Sequence, residues 1–203
     1  MKSSMKSAMQ TFNNLQSTTL LVAMFAILNA ANAGAQAVSI ISNSSAARDC
    51  YTAANAASTR RYTSQDDLAT CTRALEYENL NRTDKARTLI NRGIVETALE
   101  KYQAAMADYN AASALVPDLP EAYVSRGNLW YLAEKYDRAI SEYTAATKMD
   151  FQRVYIAYYN RGLVYEKQGN REAAMGDYLQ ALKLLPEFKQ AKERLEIVSK
   201  QAK

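Results

Sequence analysis

The sequence predicts an all-α protein made of antiparallel helix pairs repeated along the chain. An Arg-Gly pair recurs as Arg92-Gly93, Arg126-Gly127 and Arg161-Gly162, with the glycines 34 and 35 residues apart. At fixed offsets from each glycine the same residue types return: Ala105, Ala139 and Ala174, then Tyr109, Tyr143 and Tyr178, then Ala112, Ala146 and Ala181. A fixed period of this length marks stacked supersecondary units rather than one closed core. Glycine and proline number only 6 and 3 among 203 residues, which favours helices over a turn-rich β fold.

The first 35 residues read as a secretory signal peptide. Lys2 and Lys6 supply its positive start, Leu20–Leu28 an apolar run, and Ala31–Ala33 and Ala33–Ala35 small-x-small cleavage patterns. Cleavage is expected after Ala35, with Ala33 and Ala37 as rivals. The apolar run is about half the roughly 20 residues that a spanning helix needs, so no stable membrane insertion is expected after cleavage. The mature chain is then exported. It is periplasmic if the source is a bacterium with two membranes, and secreted otherwise. Residues 36–45 form a short Ser/Asn-rich lead-in.

Residues 46–84 read as a degenerate N-terminal helix pair. Ala46–Ser58 and Asp66–Glu78 are its helices, Ser64 or Gln65 stands near the second cap, and Asn79–Asp84 is turn-like. Tyr51, Asn55 and Ala74 fall where a later copy has Tyr123, Gly127 and Ala146, and Cys71 takes the recurrent tyrosine position. Three fuller copies follow at 86–119, 120–153 and 155–188. Their helices are Ala86–Ala98 with Tyr102–Leu115, Glu121–Ala133 with Asp137–Lys148, and Val154–Lys167 with Glu172–Leu184. The breaks inside each pair (Glu100-Lys101, Glu134-Lys135, Gly169-Asn170) are short enough to force antiparallel partners. Pro117 and Pro186 close two copies, and Phe151 stands in their place in the middle one. Glu187–Lys203 is an amphipathic helix. Phe188, Ala191, Leu195 and Val198 form one face, and charges elsewhere suit a cap for an open end.

The pattern resembles the tetratricopeptide repeat family over residues 86–188. That family carries a small residue where Gly93, Gly127 and Gly162 stand, alanines at the recurrent alanine positions and an aromatic at the recurrent tyrosines. The resemblance implies a short right-handed superhelical solenoid with a C-terminal capping helix. It also implies that ligands lie on the concave face made by the first helix of each pair. Mapped onto this chain, that face is Arg87, Ile90, Asn91 and Ile94, then Glu121, Val124, Asn128 and Tyr131, then Ile156, Tyr159, Asn160 and Leu163. One subfamily grips a peptide carboxylate there with lysines, arginine and asparagines. Ile90 and Ile94 replace a lysine and an asparagine of that clamp, so the clamp is not expected. The groove reads as apolar and aromatic with a few amides, suited to a peptide or amphipathic helix.

Other chemistries find little support. The chain has no histidine, which removes His-based acid–base catalysis, triads and His metal sites. No Gly-rich phosphate loop or nucleophile elbow appears. Without Lys2 and Lys6 the chain has 23 basic residues against 21 acidic, with no basic block, so no nucleic-acid partner is expected. No cofactor and no metal are expected. Cys50 and Cys71 are the only cysteines, and in an exported chain they read as a disulfide. Arg92, Arg126 and Arg161 are expected to pair with Asp108, Glu142 and Asp177, which recur at one offset. The function expected is a non-catalytic protein–protein interaction module or assembly factor of the cell envelope. The alternative is an accessory subunit of an envelope enzyme complex with no activity alone.

Overall fold

A computed structural model describes residues 45–60 and 63–200. The expected signal peptide, its expected cleavage point and all of the expected lead-in but Ser45 lie outside the described residues. Among the described residues nine α-helices occur and no strand. They are α1 (Ser45–Arg60), α2 (Gln65–Tyr77), α3 (Arg82–Ala98), α4 (Tyr102–Leu115), α5 (Pro120–Leu132), α6 (Tyr136–Thr147), α7 (Val154–Lys167), α8 (Arg171–Leu184) and α9 (Lys189–Lys200). None is long and apolar enough to cross a membrane. The helices fall into two compact units divided after Val116.

The first unit holds α1–α4. Helix α2 starts where Ser64 and Asp67 cap each other: the Asp67 N–H donates to Ser64 Oγ at 3.2 Å, and the Ser64 N–H donates to Asp67 Oδ2 at 2.7 Å. Helix α3 begins at Arg82, four residues before the expected start. The Asn81 side chain accepts from the Asp84 N–H at 2.9 Å and donates to Asp84 Oδ2 at 2.8 Å. That cap turns the second half of the expected Asn79–Asp84 turn, Arg82–Asp84, into a helical first turn. Helix α1 packs on α2 and α3, and α3 packs on α4. The core is small-residue rich, with Ala47, Ala54, Cys50, Cys71, Ala74, Ala86, Ala105 and Ala112 all fully buried around Ile90 and Val95.

The second unit holds α5–α9, each helix packed on the next. Pro120 opens α5, a position whose N–H would be unpaired in any case. Its core contains Leu129, Tyr143, Ala146, Ala157, Val164, Tyr178, Ala181 and Val198. Helix α9 starts at Lys189, because Phe188 is held in the preceding turn by its N–H to the Leu185 carbonyl at 3.1 Å.

Within the three copies the first helix ends in one way. Glu100, Glu134 and Gly169 take positive φ of 60°, 55° and 76°. The next N–H then reaches five residues back, Lys101 to Glu96, Lys135 to Trp130 and Asn170 to Tyr165, at 2.8–2.9 Å. This left-handed turn reverses the chain in two residues and sets the antiparallel partner. Only the third copy has the glycine that the conformation favours.

Candidate functional site

The recurrent glycines and tyrosines build the frame that carries the first helices. A Cβ on Gly93, Gly127 or Gly162 would stand 2.5–2.7 Å from Cε1 of Tyr109, Tyr143 or Tyr178. Each tyrosine ring therefore packs directly against a helix that has no side chain at that point. Each buried hydroxyl finds a partner. Tyr109 shares a 3.2 Å contact with Thr97 Oγ1, Tyr143 donates to Asn128 Oδ1 at 2.7 Å, and Tyr178 donates to Glu166 Oε2 at 2.8 Å. Burial pushes the Tyr143 phenol well above its ordinary range, so it stays a donor.

The recurrent arginines pair as expected. Arg92 bonds Asp108 through Nε and Nη2 at 2.6 and 2.8 Å, and Arg161 bonds Asp177 through the same atoms at 2.8 Å each. Arg126 places both Nε and Nη2 on a single oxygen of Glu142, at 3.2 and 2.8 Å. In the second unit the guanidiniums also meet aromatic rings: Arg126 over Tyr123, Arg161 over Tyr158, and Arg138 over Trp130. These cations are committed to the frame.

Of the twelve residues assigned to the ligand face, ten are buried and only Arg87 and Glu121 are half-exposed. In the first unit Ile90, Asn91 and Ile94 lie in the core with Arg87 at its edge. In the second, Asn160 Nδ2 donates to Asn128 Oδ1 at 3.0 Å, which sets α5 and α7 side by side. Tyr159 is covered by Phe188, with ring centroids 4.9 Å apart, and by Tyr178 at 5.7 Å. Burial pushes the Tyr159 phenol up to about 12. Val124, Tyr131, Ile156 and Leu163 are each less than 10% exposed.

Polar balance distinguishes this face. Among the described residues five buried side-chain atoms lack a hydrogen-bond partner: Arg87 Nε, Glu96 Oε2, Glu121 Oε2, Asn128 Nδ2 and Asn160 Oδ1. Four of the five belong to the twelve face residues. Each such atom carries a desolvation cost of roughly 1–3 kcal/mol.

Three polar groupings escaped the sequence reading. Asn128 and Asn160 occupy non-equivalent places in their copies, so the period does not pair them. Arg194 of α9 bonds the Glu166 carboxylate that also receives Tyr178. Glu78 accepts from the N–H groups of Ala46 and Ala47 at 3.0 and 3.1 Å, capping α1 from 31 residues away. Cys50 and Cys71 form the expected disulfide between α1 and α2, with Cα atoms 4.6 Å apart. Of the two glycosylation-like triplets in the sequence, Asn81-Arg-Thr83 has its amide committed to the α3 cap. The other begins at Asn43, outside the described residues.

A tetratricopeptide repeat model matches residues 155–188, and a TPR repeat model matches residues 93–133. The chain is a tetratricopeptide repeat protein. Its fold is similar to that of a solved structure titled "MamA RS-1 ArsTM double mutant", at 19% identity over 79% of this chain and 87% of that one, with a TM-score of 0.57. A MamA AMB-1 structure is similar at 13% identity over 77% of this chain and 82% of that one, with a TM-score of 0.54. At these identities the likeness speaks to fold. It reaches well beyond the residues the family models match. No curated protein matches the chain. Tetratricopeptide repeats are protein-interaction modules and typically have no catalytic role, which fixes the broad class of function.

Proposed function

We propose that this chain is a non-catalytic binding module that takes a peptide or helix of a protein partner against the first helices of its repeats. The observation that carries the reading is the concentration of unpaired polar atoms on that face. In the second unit an acceptor on Glu121, a donor on Asn128 and an acceptor on Asn160 lie on α5 and α7, which the Asn128–Asn160 bond holds together. A peptide backbone offers both donors and acceptors, and apolar side chains of the partner would seat beside Val124, Ile156 and Leu163. Because these residues are buried in the free chain, binding requires the side chains over them to give way. Partner contacts then offset the cost of the unpaired groups.

We further propose that the module works in the cell envelope as an assembly factor. The leader-like start, with Lys2, Lys6 and the apolar run Leu20–Leu28, supports export. The Cys50–Cys71 disulfide agrees with an oxidising compartment. In-cell crosslinking with mass spectrometric identification tests both parts. The expected result is one protein partner captured from the envelope fraction and lost from a folded Glu121→Ala variant, truncated at a half-exposed position of α5. Retention of that partner by the folded Glu121→Ala protein would overturn the proposed face, and capture only from cytoplasm would overturn the location.

A further inference from the structure

The fifth unpaired atom lies away from the ligand face. Glu96 is 7% exposed and its Oε2 has no hydrogen-bond partner. It occupies the place that Trp130 and Tyr165 hold in the later copies, half-buried aromatic rings with no carboxylate. One turn earlier on the same helix is Arg92, whose guanidinium is bound by two hydrogen bonds to Asp108 of α4. Three charged groups reach Glu96: Asp108 from α4, Arg92 from its own helix and Lys101 from the turn between the helices. Glu76 of α2 acts on Arg92, and the described charges of α1, Arg48 and Asp49, are exposed.

A buried carboxylate with an unpaired oxygen beside a second carboxylate is unfavourable when both are charged. Desolvation comes first and the Asp108 charge second in raising Glu96, to about 7 against an ordinary value of 4.5. The neutral acid leaves Arg92 to Asp108. The ionised acid, four residues along the helix from Arg92, competes for the same guanidinium.

We propose that Glu96 is a proton-operated latch on the first unit. Neutral, it lets Arg92 tie α3 to α4 through Asp108. Ionised, it draws Arg92 away from Asp108 and loosens the α3–α4 pair. The later copies have no such competitor, so the latch belongs to the first unit alone. It is independent of the ligand-face proposal, because Glu96 lies outside that face.

The sign follows from linkage. A carboxyl raised in the folded chain holds its proton there at pH values where the loosened form has released it. The opening equilibrium of α3–α4 therefore grows as pH rises from the ordinary carboxylate range toward 7, and levels off above it. Hydrogen exchange of α3 and α4 amides, corrected for intrinsic exchange, reads that equilibrium. Between pH 5 and 7.5 the full-length protein should lose roughly tenfold to a hundredfold in protection there, with α7 and α8 little changed. Glu96→Gln, neutral at every pH, should abolish the difference, and Glu96→Tyr, the third copy's residue, should do the same. The carboxyl carbon shift of Glu96 in the wild-type protein gives a reading that needs no variant. Titration in the ordinary carboxylate range, or a Glu96→Gln protein that keeps the wild-type pH slope, would overturn the latch.

Discussion

Gly127 and Tyr143 form one packing unit. A Cβ on the glycine would lie 2.5 Å from Tyr143 Cε1 and 2.8 Å from Cδ1, and the tyrosine is 1% exposed. The fixed spacing of sixteen residues between glycine and tyrosine is thus the spacing of two surfaces that touch. Gly127→Leu should force the ring out of its place and cost about 1–3 kcal/mol or more. Lys148→Ala, at the exposed end of α6, should change stability by less than about 0.5 kcal/mol. Urea melts of both variants check the ranking, and a reversed order would contradict the contact.

The first unit is held at two points that bear on its degenerate pair. Cys50–Cys71 closes a loop of 21 residues between α1 and α2, and Glu78 caps the first turn of α1. Loop-closure entropy assigns the disulfide about 3 kcal/mol. The double variant Cys50→Ala, Cys71→Ala should lose most of that, and Glu78→Ala about 1 kcal/mol. Both losses should appear as faster hydrogen exchange in α1 and α2. Exchange in α7 and α8 should be unaffected.

How much of this was legible in the sequence depends on the range of the interaction. The Arg–acid pairs, the glycine–tyrosine contacts and the antiparallel breaks recur with the period, so repetition revealed them. The α3 start was misplaced because Asn81 and Asp84 form a cap that happens once. The ligand-face residues were legible as one face of each first helix, but their burial was not. Tyr159 reads as a surface aromatic by register, yet Phe188 covers it from the turn that closes the third copy. Glu96 was visible as a departure from the aromatic pattern. Its unpaired oxygen needed the positions of Arg92 and Asp108 in space.

The arginine at each copy should behave as part of the frame. Arg161 bonds Asp177 twice and Thr144 once, with the two charged side chains 16% and 7% exposed. Asp177→Ala strands a largely buried guanidinium and should cost about 1.5–3 kcal/mol. Arg161→Lys keeps the charge but cannot reproduce the forked contact or stack on Tyr158, so it should recover less than half of the stability. Thermal melts of the two variants and the wild type decide this. Full recovery by lysine would mean that charge alone, and not the fork, holds α7 to α8.

Phe188 gives the sharpest test of how closed the second unit is. Its ring meets Tyr155 at 5.1 Å and Tyr159 at 4.9 Å, and it is 7% exposed. Six residues later, Arg194 anchors α9 to Glu166. One contact, apolar, holds the turn before α9, and the other, ionic, holds α9 itself. Phe188→Ala should cost about 3 kcal/mol or more, because the cavity it leaves is lined by two rings that cannot collapse into it. Arg194→Ala should cost less, since both partners are partly solvated and Tyr178 can still donate to Glu166. In the Phe188→Ala protein Tyr159 becomes accessible, so its absorbance should titrate nearer the ordinary phenol range than about 12. Hydrogen exchange should rise in α7 and α9, while α1 and α2 keep wild-type protection. If Phe188→Ala melts like the wild type, Tyr159 is buried by something other than the C-terminal segment, and α9 is not the cap of this unit.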